Sequence, residues 1–489
     1  MRIQMQHSSA SHSEGISERK SALRDLAERL APNRHKWIKR NSYYYEEDQR
    51  YLQFLIPKGA KVLELGCGIG DTLAAVEPSY GVGIDMSPAM IEVAKTRHPS
   101  CNFIVGDIEN PEIIQNINET FDFIILGDTI GDLEDVVDSF AALHPLCTHD
   151  TRVIISYYSP LWRPILKLAE KIGAKMPSHD TNWLTLRDIG IFLELANFEV
   201  IRREWWQILP KKLLGLGPLI NRYIGTLPVI RALSLRNYIV VRSLVAPKPE
   251  LKSCTVLVPA RNEKGNIEAA ITRTPKFCDD IEFMFVEGHS SDGTLDEMER
   301  VKAAYPDEDI KVLVQDGKGK GDAVRKGFEN ARGDVLMILD ADLTTPPEQM
   351  PKFFDTIASG KGEFINGTRL IYPMDDEAMR FLNFLANHTF PVIFSYLLNQ
   401  RFTDTLCGTK VLSREHYNKI ADNRSYFGDF DPFGDFDLIF GASKLNLKIT
   451  EVPVRYASRV YGETQISRFT HGFMLLKMII FAYKKLKAF

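Results

Sequence analysis

Two apolar, strand-like runs in this chain end in residues that can approach a ligand closely. The first run, residues 62–65, continues into a loop with glycine at alternate positions from Gly66 to Gly70. The second run, residues 335–339, ends in two aspartates that are separated by one residue, Asp340 and Asp342. Glycines let a backbone turn sharply without Cβ obstruction, whereas paired carboxylates can hold a cation. Two such different strand ends predict two kinds of ligand site, as in a fusion of two enzymes.

Strand-like runs alternate with helix-like stretches in both halves, which predicts an α/β fold with parallel strands. The predicted strands are residues 61–65, 81–84, 102–105, 121–126 and 151–157 in the first half, and 254–258, 281–286, 310–314 and 335–339 in the second. A stretch with two prolines, which disfavour either regular element, predicts a linker. The expected organisation is a disordered tail over residues 1–20, a domain over 21–245, the linker at 246–252 and a second domain over 253–489.

The composition is that of a globular protein, because 44% of the residues are hydrophobic and 25% are charged. The net charge of −4 gives no indication of a nucleic-acid partner. The cysteines lack the spacing of a metal site and mostly lie in or beside apolar runs, which favours a reducing, cytosolic setting. Residues 1–14 have no apolar core of the kind that a signal peptide needs.

Three segments indicate contact with a membrane surface. Phe381–Gln400 contains no charged residue, but its polar residues suit a bilayer span poorly. We expect helices there that lie at a membrane interface or pack on the domain. Residues 473–489 have the pattern of a basic amphipathic helix on anionic lipid, or of a docking helix with a solvated lysine face. With the basic, Trp-containing stretch 162–226, they predict a peripheral protein on the cytoplasmic face of the inner membrane.

The glycine loop is followed by acidic residues at the next two strand ends. Asp85 ends the second strand, where a carboxylate can accept both hydroxyls of a ribose, and Asp107 follows the third. The set resembles class I methyltransferases that bind S-adenosylmethionine, over about residues 40–245. The resemblance implies a cofactor site formed by Glu64, Gly66, Gly68, Gly70, Asp85 and Asp107, in which Asp85 binds the ribose and Asp107 the adenine. A tight turn in any doubly wound sheet, or a domain that binds the cofactor without catalysis, would show the same residues.

In the second half, the segments 258–263, 286–294, 317–321 and 340–342 each follow a strand or precede a helix. Their order and spacing resemble family 2 glycosyltransferases with the GT-A fold, over about residues 251–485. The resemblance implies that a UDP- or GDP-hexose is bound by Pro259, Arg261, Glu263, Glu287, Asp292, Lys318, Lys320 and Asp340. Asp340 and Asp342 would hold Mg²⁺ or Mn²⁺. Alternatively, Asp292 caps a helix, and Lys318 and Lys320 are solvated loop charges.

The end of the chain carries segments 366–369, 404–410 and 459–469, which look like dolichol-phosphate mannose synthase and its bacterial polyprenyl-phosphate relatives. In those enzymes an isoprenoid phosphate attacks the sugar. Such a phosphate is already ionised near neutral pH and needs positive charge more than a base. Arg369, Lys410, Arg459 and Arg468 could supply that charge.

Residues 428–437 form an unusual acidic and aromatic segment. If the acceptor is an alcohol, Asp435 or Asp431 is the expected base; otherwise these acids cap the helix that begins near Asp437. The catalytic residues are accordingly expected among Asp342, Asp435, Asp431, Arg369 and Lys410. We expect inverting, metal-dependent sugar transfer to a polyprenyl-phosphate or glycolipid acceptor, together with methylation of an unknown acceptor. The alternative is a soluble glycosyltransferase that acts on a sugar hydroxyl or small molecule and carries a non-catalytic N-terminal scaffold.

Overall fold

The computed structural model describes residues 17–179, 181–372, 381–426, 434–462 and 468–488, with the backbone alone for 381–388 and 468–473. The chain forms two compact units, Met1–Cys147 with Val153–Ala196, and Thr148–Arg152 with Asn197–Phe489. Most of the predicted disordered tail lies outside the described residues. Its last residues are helical, because the first helix begins at Glu18.

Helices and strands alternate in the first unit. The strands are β1 (Lys61–Leu65), β2 (Tyr80–Asp85), β3 (Asn102–Val105), β4 (Phe121–Gly127) and β5 (Cys147–Tyr158). The helices are α1 (Glu18–Leu30), α2 (Arg34–Arg40), α3 (Ser42–Leu55), α4 (Asp71–Ala75), α5 (Pro88–Arg97), α6 (Pro111–Gln115), α7 (Val136–Ala141), α8 (Arg163–Lys171) and α9 (Leu186–Leu195).

The second unit continues the alternation. Its strands are β6 (Phe198–Trp206), β7 (Arg236–Ser243), β8 (Ser253–Ala260), β9 (Asp280–Glu287), β10 (Asp309–Val314), β11 (Val335–Ile338), β12 (Phe364–Thr368), β13 (Lys410–Ser413) and β14 (Ile449–Pro453). Its helices are α10 (Leu216–Leu219), α11 (Ile267–Thr272), α12 (Thr294–Ala304), α13 (Lys320–Glu329), α14 (Met350–Ala358), α15 (Phe381–Leu398), α16 (Arg414–Asp422), α17 (Asp435–Lys444) and α18 (Arg468–Leu486).

Within the described residues the strands form two seven-stranded sheets, with the orders β3-β2-β1-β4-β5-β7-β6 and β10-β9-β8-β11-β13-β12-β14. In the first sheet β1 lies between the parallel strands β2 and β4, and in the second β8 lies between the parallel strands β9 and β11. The strand order reverses at these points, which opens a crevice at the carboxyl ends of the strands. Both predicted sites lie on loops at such carboxyl ends, and the α/β fold class is confirmed.

The central strands are buried on both faces, and this explains why they could be recognised from the sequence. β11 is buried over its whole length, and in β8 Val256 and Val258 are fully buried among the core residues. Parallel strands that are covered on both faces read as nearly continuous apolar runs. Every strand that the sequence predicts is present within a few residues of its expected bounds.

Five strands, β6, β7, β12, β13 and β14, were not predicted. β6 and β7 pair antiparallel and carry buried arginines, such as Arg202 and Arg236, which break the apolar pattern. β6 lies inside the stretch 162–226, and its Trp206 is only 4% exposed, so this tryptophan packs in the interior. Among the described residues, no helix combines the length and the hydropathy that a membrane span requires.

Candidate active sites

The glycine loop after β1 adopts a backbone that favours glycine. Gly66 and Gly70 both have φ of 77°, and Gly68 has φ of 53°, all in the left-handed region. A Cβ atom at Gly66 would lie 2.2 Å from Oγ1 of Thr129, whereas one at Gly68 would meet nothing within 4 Å. Gly66 is therefore required by packing inside the unit, while Gly68 borders open space in which a ligand has room.

Asp85 joins the end of β2 to the glycine loop. Its Oδ2 accepts a hydrogen bond from the Gly68 amide at 2.8 Å, and its Oδ1 accepts one from the Ser87 amide at 2.9 Å. Burial raises the pKa of this carboxyl. Because a carboxylate oxygen offers more than one lone pair, the group can hold the loop and still accept ligand hydroxyls.

Glu64 lies beneath the loop in the core of the unit. It is 4% exposed, and its Oε2 accepts a hydrogen bond from the Leu73 amide of α4 at 3.0 Å. Burial raises the pKa of Glu64 well above its usual value. This geometry makes Glu64 an anchor for the helix that follows the loop, and its contact with a cofactor stays a prediction.

Asp107 pairs with a residue that the sequence analysis assigned to a disordered tail. Nζ of the buried Lys20 in α1 donates a hydrogen bond to Asp107 and lies 3.0 Å from Oε2 of Glu109. Ser17 caps α1 by accepting a hydrogen bond from the Lys20 amide at 3.1 Å. Such a serine followed by helix formers is an N-cap signal, and it could have revealed this helix.

Asp132 is a further candidate for the site that was not recognised from the sequence. It follows the short helical turn after β4, and its Oδ1 is buried without a hydrogen-bond partner in the part of the chain that the structure describes. Burial raises its pKa to about 6, against the opposing charge of Arg19, and the negative charges of Asp128 and Asp85 add to this rise. A buried carboxyl with such a raised pKa is suited to exchange a proton or hold a cationic group.

A cavity of about 660 Å³ opens near this carboxyl. Its lining comes from α1 and from the segment before α9, and consists of Ala22, Asp25, Leu26, Glu28, Arg29, Pro177, Ser178 and His179. His179 acts electrostatically on Asp132, so the cavity and the buried carboxyl are neighbours. Glu28 also accepts a hydrogen bond from the hydroxyl of Ser87 at 2.7 Å, which connects the cavity wall to the loop after β2.

In the second unit, Asp340 follows β11 and forms an ion pair with Lys320 at the start of α13. The Lys320 Nζ lies 2.7 Å from Oδ1 of Asp340. Burial alone would raise the pKa of Asp340, but Lys320, Lys410 and Arg369 hold it below its usual value. A Cβ atom at Gly408 would lie 1.8 Å from Oδ2 of Asp340, so only glycine allows this loop to approach the carboxylate.

Asp342 is held by an arginine that comes from far along the chain. The Arg459 guanidinium donates to Oδ2 of Asp342 and to Oε1 of Glu263, at 2.7 Å in both cases. The other oxygen of Asp342 accepts from the amide and the hydroxyl of Thr344, at 3.1 and 2.8 Å. Burial raises the pKa of Glu263, although Arg459 opposes this. Arg459, predicted to bind an acceptor phosphate, here bridges two residues predicted to bind donor and metal.

The predicted nucleoside residues occupy the ends of β8 and β9. Glu287 accepts hydrogen bonds from the amides of His289 and Ser290, at 3.0 and 2.5 Å. Burial would raise its pKa, but these hydrogen bonds hold it below its usual value. Asp292 accepts from the amide and hydroxyl of Thr294, at 3.0 and 2.5 Å, and so closes the turn before α12, whose N-cap position is Gly293.

The other predicted donor residues lie around the same crevice. Pro259 is half-buried in β8, and Arg261 and Lys318 are exposed. Tyr461 lies over the crevice edge, since a Cβ atom at Gly265 would be 2.6 Å from its ring.

Asp435 lies next to the Asp340–Lys320 pair. It is 7% exposed, its Oδ1 lies 3.6 Å from Nζ of Lys320, and burial raises its pKa. A Cβ atom at the preceding Gly434 would lie 2.7 Å from Cα of Gly321, which shows how closely α17 and α13 begin together. The other candidate base, Asp431, lies outside the described residues.

The predicted acceptor cations have different environments. Arg369 is fixed by a bidentate ion pair, in which its Nε and Nη2 donate to Asp404 at 2.7 and 2.9 Å. Lys410 is fully buried, and its ammonium donates to the carbonyl of Cys407. Lys410 therefore acts on the site by its charge from within the protein, because it has no exposed surface for a ligand to contact. The side chain of Arg468 lies outside the described residues.

Asp340 and Asp342 suit a hard divalent cation, because both are carboxylates at the end of one strand. Each of them is compensated by a cation of the chain itself, Lys320 or Arg459. Likewise, the free space beside Gly68 and the fixed Asp85 suit a nucleoside cofactor in the first unit.

Comparison with known families matches the two halves separately. The family described as "Methyltransferase domain" matches residues 19–203, and "Glycosyl transferase family 2" matches residues 255–420. The chain carries a methyltransferase domain and a family 2 glycosyltransferase domain. Both resemblances found in the sequence are confirmed.

Curated relatives match the glycosyltransferase domain. The chain is 36% identical over 109 residues to dolichol-phosphate mannosyltransferase of Saccharomyces cerevisiae, covering 21% of this chain and 40% of that protein. It is 25% identical over 222 residues to undecaprenyl-phosphate 4-deoxy-4-formamido-L-arabinose transferase of Salmonella paratyphi B, covering 44% and 63%. The chain thus spans less than two thirds of the length of these relatives.

The chain is similar to a solved structure of each kind. A SAM-dependent methyltransferase from Thermotoga maritima gives a TM-score of 0.35 at 17% identity, covering 45% of this chain and 99% of that one. Glucosyl-3-phosphoglycerate synthase from Mycobacterium tuberculosis gives a TM-score of 0.35 at 18% identity, covering 48% and 80%. The family matches, and not these low TM-scores, carry the assignment.

Proposed function

We propose that the glycosyltransferase domain transfers a hexose, with inversion, from a UDP- or GDP-sugar to a polyprenyl phosphate or related lipid-linked acceptor. The observation that carries this proposal is the grouping of Asp340 and Asp342 with Lys320, Arg459 and Arg369 at one edge of the sheet. The curated relatives support it, since their names specify transfer to dolichol phosphate or undecaprenyl phosphate.

In this proposal the residues of the chain have separate roles. Asp340 and Asp342 would hold Mg²⁺ or Mn²⁺, which offsets the charge on the departing nucleoside diphosphate when it is bound. Lys320 lies against Asp340, where its charge attracts the same diphosphate. Arg369, held rigid by Asp404, presents positive charge to the acceptor phosphate. The ionised phosphate then attacks without the help of a strong base.

The test is a matrix of donors, acceptors and metals with the full chain. UDP-glucose, GDP-mannose and related donors are incubated with polyprenyl phosphate, with Mg²⁺, Mn²⁺ or chelator, and the lipid-linked sugar is measured. We expect one donor to support transfer and chelator to abolish it. Absence of sugar transfer to lipid from every common donor would reject the acceptor.

A second function is favoured by the position of Asp435. This buried carboxyl with a raised pKa lies beside Lys320 and Asp340, as a base for a sugar hydroxyl would. Asp435→Asn distinguishes the two acceptors. If the acceptor is an alcohol, sugar transfer falls by about 10²- to 10⁴-fold; if it is a phosphate, the effect is much milder.

For the methyltransferase domain, we propose binding of S-adenosylmethionine and methylation of an unidentified acceptor. Gly68 leaves room for the cofactor, and Asp85 is fixed where a ribose would be bound. Methyl transfer needs mainly alignment of the acceptor with the electrophilic methyl group. Calorimetry with S-adenosylmethionine is the test, because a folded protein that binds none of it would leave the domain a scaffold.

We also propose that the protein is cytoplasmic and makes peripheral contact with the inner membrane, as a lipid-linked acceptor requires. The acceptor phosphate must reach Arg369 while its hydrocarbon chain stays in the bilayer. Sedimentation of the full chain with lipid vesicles tests this contact.

A further inference from the structure

The segment between β6 and β7, residues 207–235, exposes an unusual number of large apolar side chains. Leu213 is 53% exposed, and Leu214 is 106% exposed, so the latter projects entirely into solvent. The further exposed apolar residues are Leu216, Leu219, Tyr223, Ile224, Leu227, Val229 and Leu233. A contiguous exposed apolar segment of this kind marks a surface that has a partner.

The backbone holds the first two leucines outward at a conformational cost. Leu213 and Leu214 both have positive φ, 42° and 56°, which is unfavourable for a residue with a Cβ atom. The turn is kept by hydrogen bonds from the amides of Gly215 and Gly217 to the carbonyl of Lys212, at 2.9 and 3.0 Å. A strained turn that presents two leucines to solvent indicates a function for these side chains.

The segment is fixed to the rest of the glycosyltransferase unit at Thr226. Its hydroxyl lies 2.7 Å from the Tyr483 hydroxyl of α18, and its carbonyl accepts a hydrogen bond from the Tyr396 hydroxyl of α15. Asn221 is buried and closes the segment on itself, because it both donates to and accepts from the backbone of Leu209 at 2.8 Å. The exposed leucines therefore belong to a segment that these hydrogen bonds hold in place.

The two anchoring helices add apolar residues close to these contacts. Val392 of α15 is exposed one turn before Tyr396, and Leu476 and Ile480 of α18 are exposed in the turns before Tyr483. We call the exposed apolar residues of 207–235, together with Val392, Leu476 and Ile480, the apolar patch. All three of its segments meet at Thr226.

The charged residues of the segment 207–235 and of α18 are all basic. Between Glu204 and Glu250 the chain contains no acidic residue, although the whole chain has 64 of them. Lys211 and Lys212 are exposed directly before the strained leucines. α18 also lacks acidic residues, and Lys477 and Lys484 are exposed on it beside Leu476 and Ile480. Apolar side chains next to exposed lysines are complementary to an anionic lipid surface.

We propose that the apolar patch docks on an anionic bilayer, with Leu213 and Leu214 inserted among the lipid chains and Lys211 and Lys212 at the headgroups. This inference rests on the proposed transfer to a lipid-linked acceptor and identifies the surface that brings the enzyme to it. The segment 207–235 lies outside the region that the family 2 glycosyltransferase match covers.

The test is sedimentation of the full chain with vesicles of phosphatidylcholine alone or mixed with phosphatidylglycerol. We expect binding to the mixed vesicles that weakens with salt. The pair Leu213→Ser and Leu214→Ser should lower that affinity at least about tenfold, because two leucines no longer enter the bilayer. The pair Lys211→Gln and Lys212→Gln should lower it by about tenfold or more, and on the mixed vesicles only. Leu195→Ser, an exposed leucine of α9 outside the patch, is the matched control and should bind as the wild type does.

Sugar transfer to a short-chain, water-soluble polyprenyl phosphate is measured on the same variants. Unchanged transfer to this acceptor separates loss of docking from failure of the proposed function, and an unchanged melting temperature shows that each variant is folded. The docking proposal is overturned if the wild type binds neither kind of vesicle, or if the Leu213→Ser, Leu214→Ser double variant binds as the wild type does. It is also overturned if the wild type is a dimer and the leucine double variant is a monomer, since the apolar patch would then join two copies of the chain.

Discussion

The two candidate sites lie at the carboxyl ends of strands in two α/β sheets, but Asp85 in one and Asp340 and Asp342 in the other are held by different kinds of group. In the methyltransferase site, Asp85 is fixed by backbone amides of the loops beside it, from Gly68 and Ser87. In the glycosyltransferase site, Asp340 and Asp342 are fixed by side-chain cations, Lys320 and Arg459. The first site has open space beside Gly68, whereas Asp340 and Asp342 of the second are paired with cations of the chain.

The difference follows from the charge of the expected ligands. A ribose is neutral and needs hydrogen-bond acceptors that are already oriented, which a rigid loop supplies. A nucleotide sugar and its cation bring charges of both signs, and carboxylates at such a site need positive charge when the ligand is absent. We therefore expect donor binding to rearrange the ion pairs of the second site, and cofactor binding to leave the first site nearly unchanged.

The largest effect is expected from a variant that impairs the glycosyltransferase site and leaves the methyltransferase site unchanged. Asp342→Asn should lower the rate of sugar transfer by about 10²- to 10³-fold. It removes a carboxylate that is proposed to hold the cation, and this cation offsets the charge on the departing diphosphate. Calorimetry with S-adenosylmethionine on the same variant should give the wild-type affinity. Undiminished sugar transfer by this variant, or by the wild type in chelator, would contradict the metal role.

The second-largest effect is expected from the reciprocal variant, in the methyltransferase site. Asp85→Asn should weaken binding of S-adenosylmethionine by about 10- to 100-fold, since it loses a charged acceptor that also holds the Gly68 amide. Sugar transfer should remain at the wild-type rate. If cofactor affinity is unchanged while the protein stays folded, Asp85 is a structural residue of the loop and does not bind the ribose.

A third variant tests the ion pairs of the glycosyltransferase site. Arg459→Ala should bind Mn²⁺ about tenfold more tightly without donor, because Asp342 and Glu263 lose the cation that bridges them. Arg459→Lys keeps the charge and is the matched control. Calorimetry with Mn²⁺ alone measures the effect, and equal affinities of all three proteins would show that Arg459 does not compete with the cation.

The smallest effect concerns the buried carboxyl of the methyltransferase site. Because the pKa of Asp132 is raised to about 6, its contribution to stability is present at low pH and is lost as the pH rises through 6. Asp132→Asn should therefore raise the melting temperature by a few degrees at pH 7.5 and by about half as much at pH 5. Differential scanning calorimetry at both pH values is the measurement, and an equal gain at both would contradict the raised pKa.

The sequence predicted those elements in which a single physical requirement applies to several consecutive residues. Strands buried on both faces must be apolar, so β1, β8 and β11 could be recognised directly. The glycines after β1 satisfy a backbone requirement that no other residue meets as well, and they too were visible. By contrast, β6 and β12 carry polar residues whose partners lie elsewhere in the chain, and they were missed.

The roles of individual charges were less predictable. Lys410 was expected at an acceptor phosphate, and its full burial became visible only in the structure. Lys20 was assigned to a tail, although it pairs with Asp107. The roles of the predicted site residues in binding and catalysis stay predictions, because geometry alone places a side chain without showing what it binds.

The sequence by itself determined that this protein has two α/β domains of different families, each with a predicted ligand site after a central strand. It could do so because local backbone geometry and continuous burial leave their record in adjacent residues. Only the tertiary structure decided which charges meet, such as Arg459 with Asp342 and Glu263, and which leucines remain in solvent. Those outcomes depend on residues far apart in the chain, and their distances are fixed only when the sheets and helices pack.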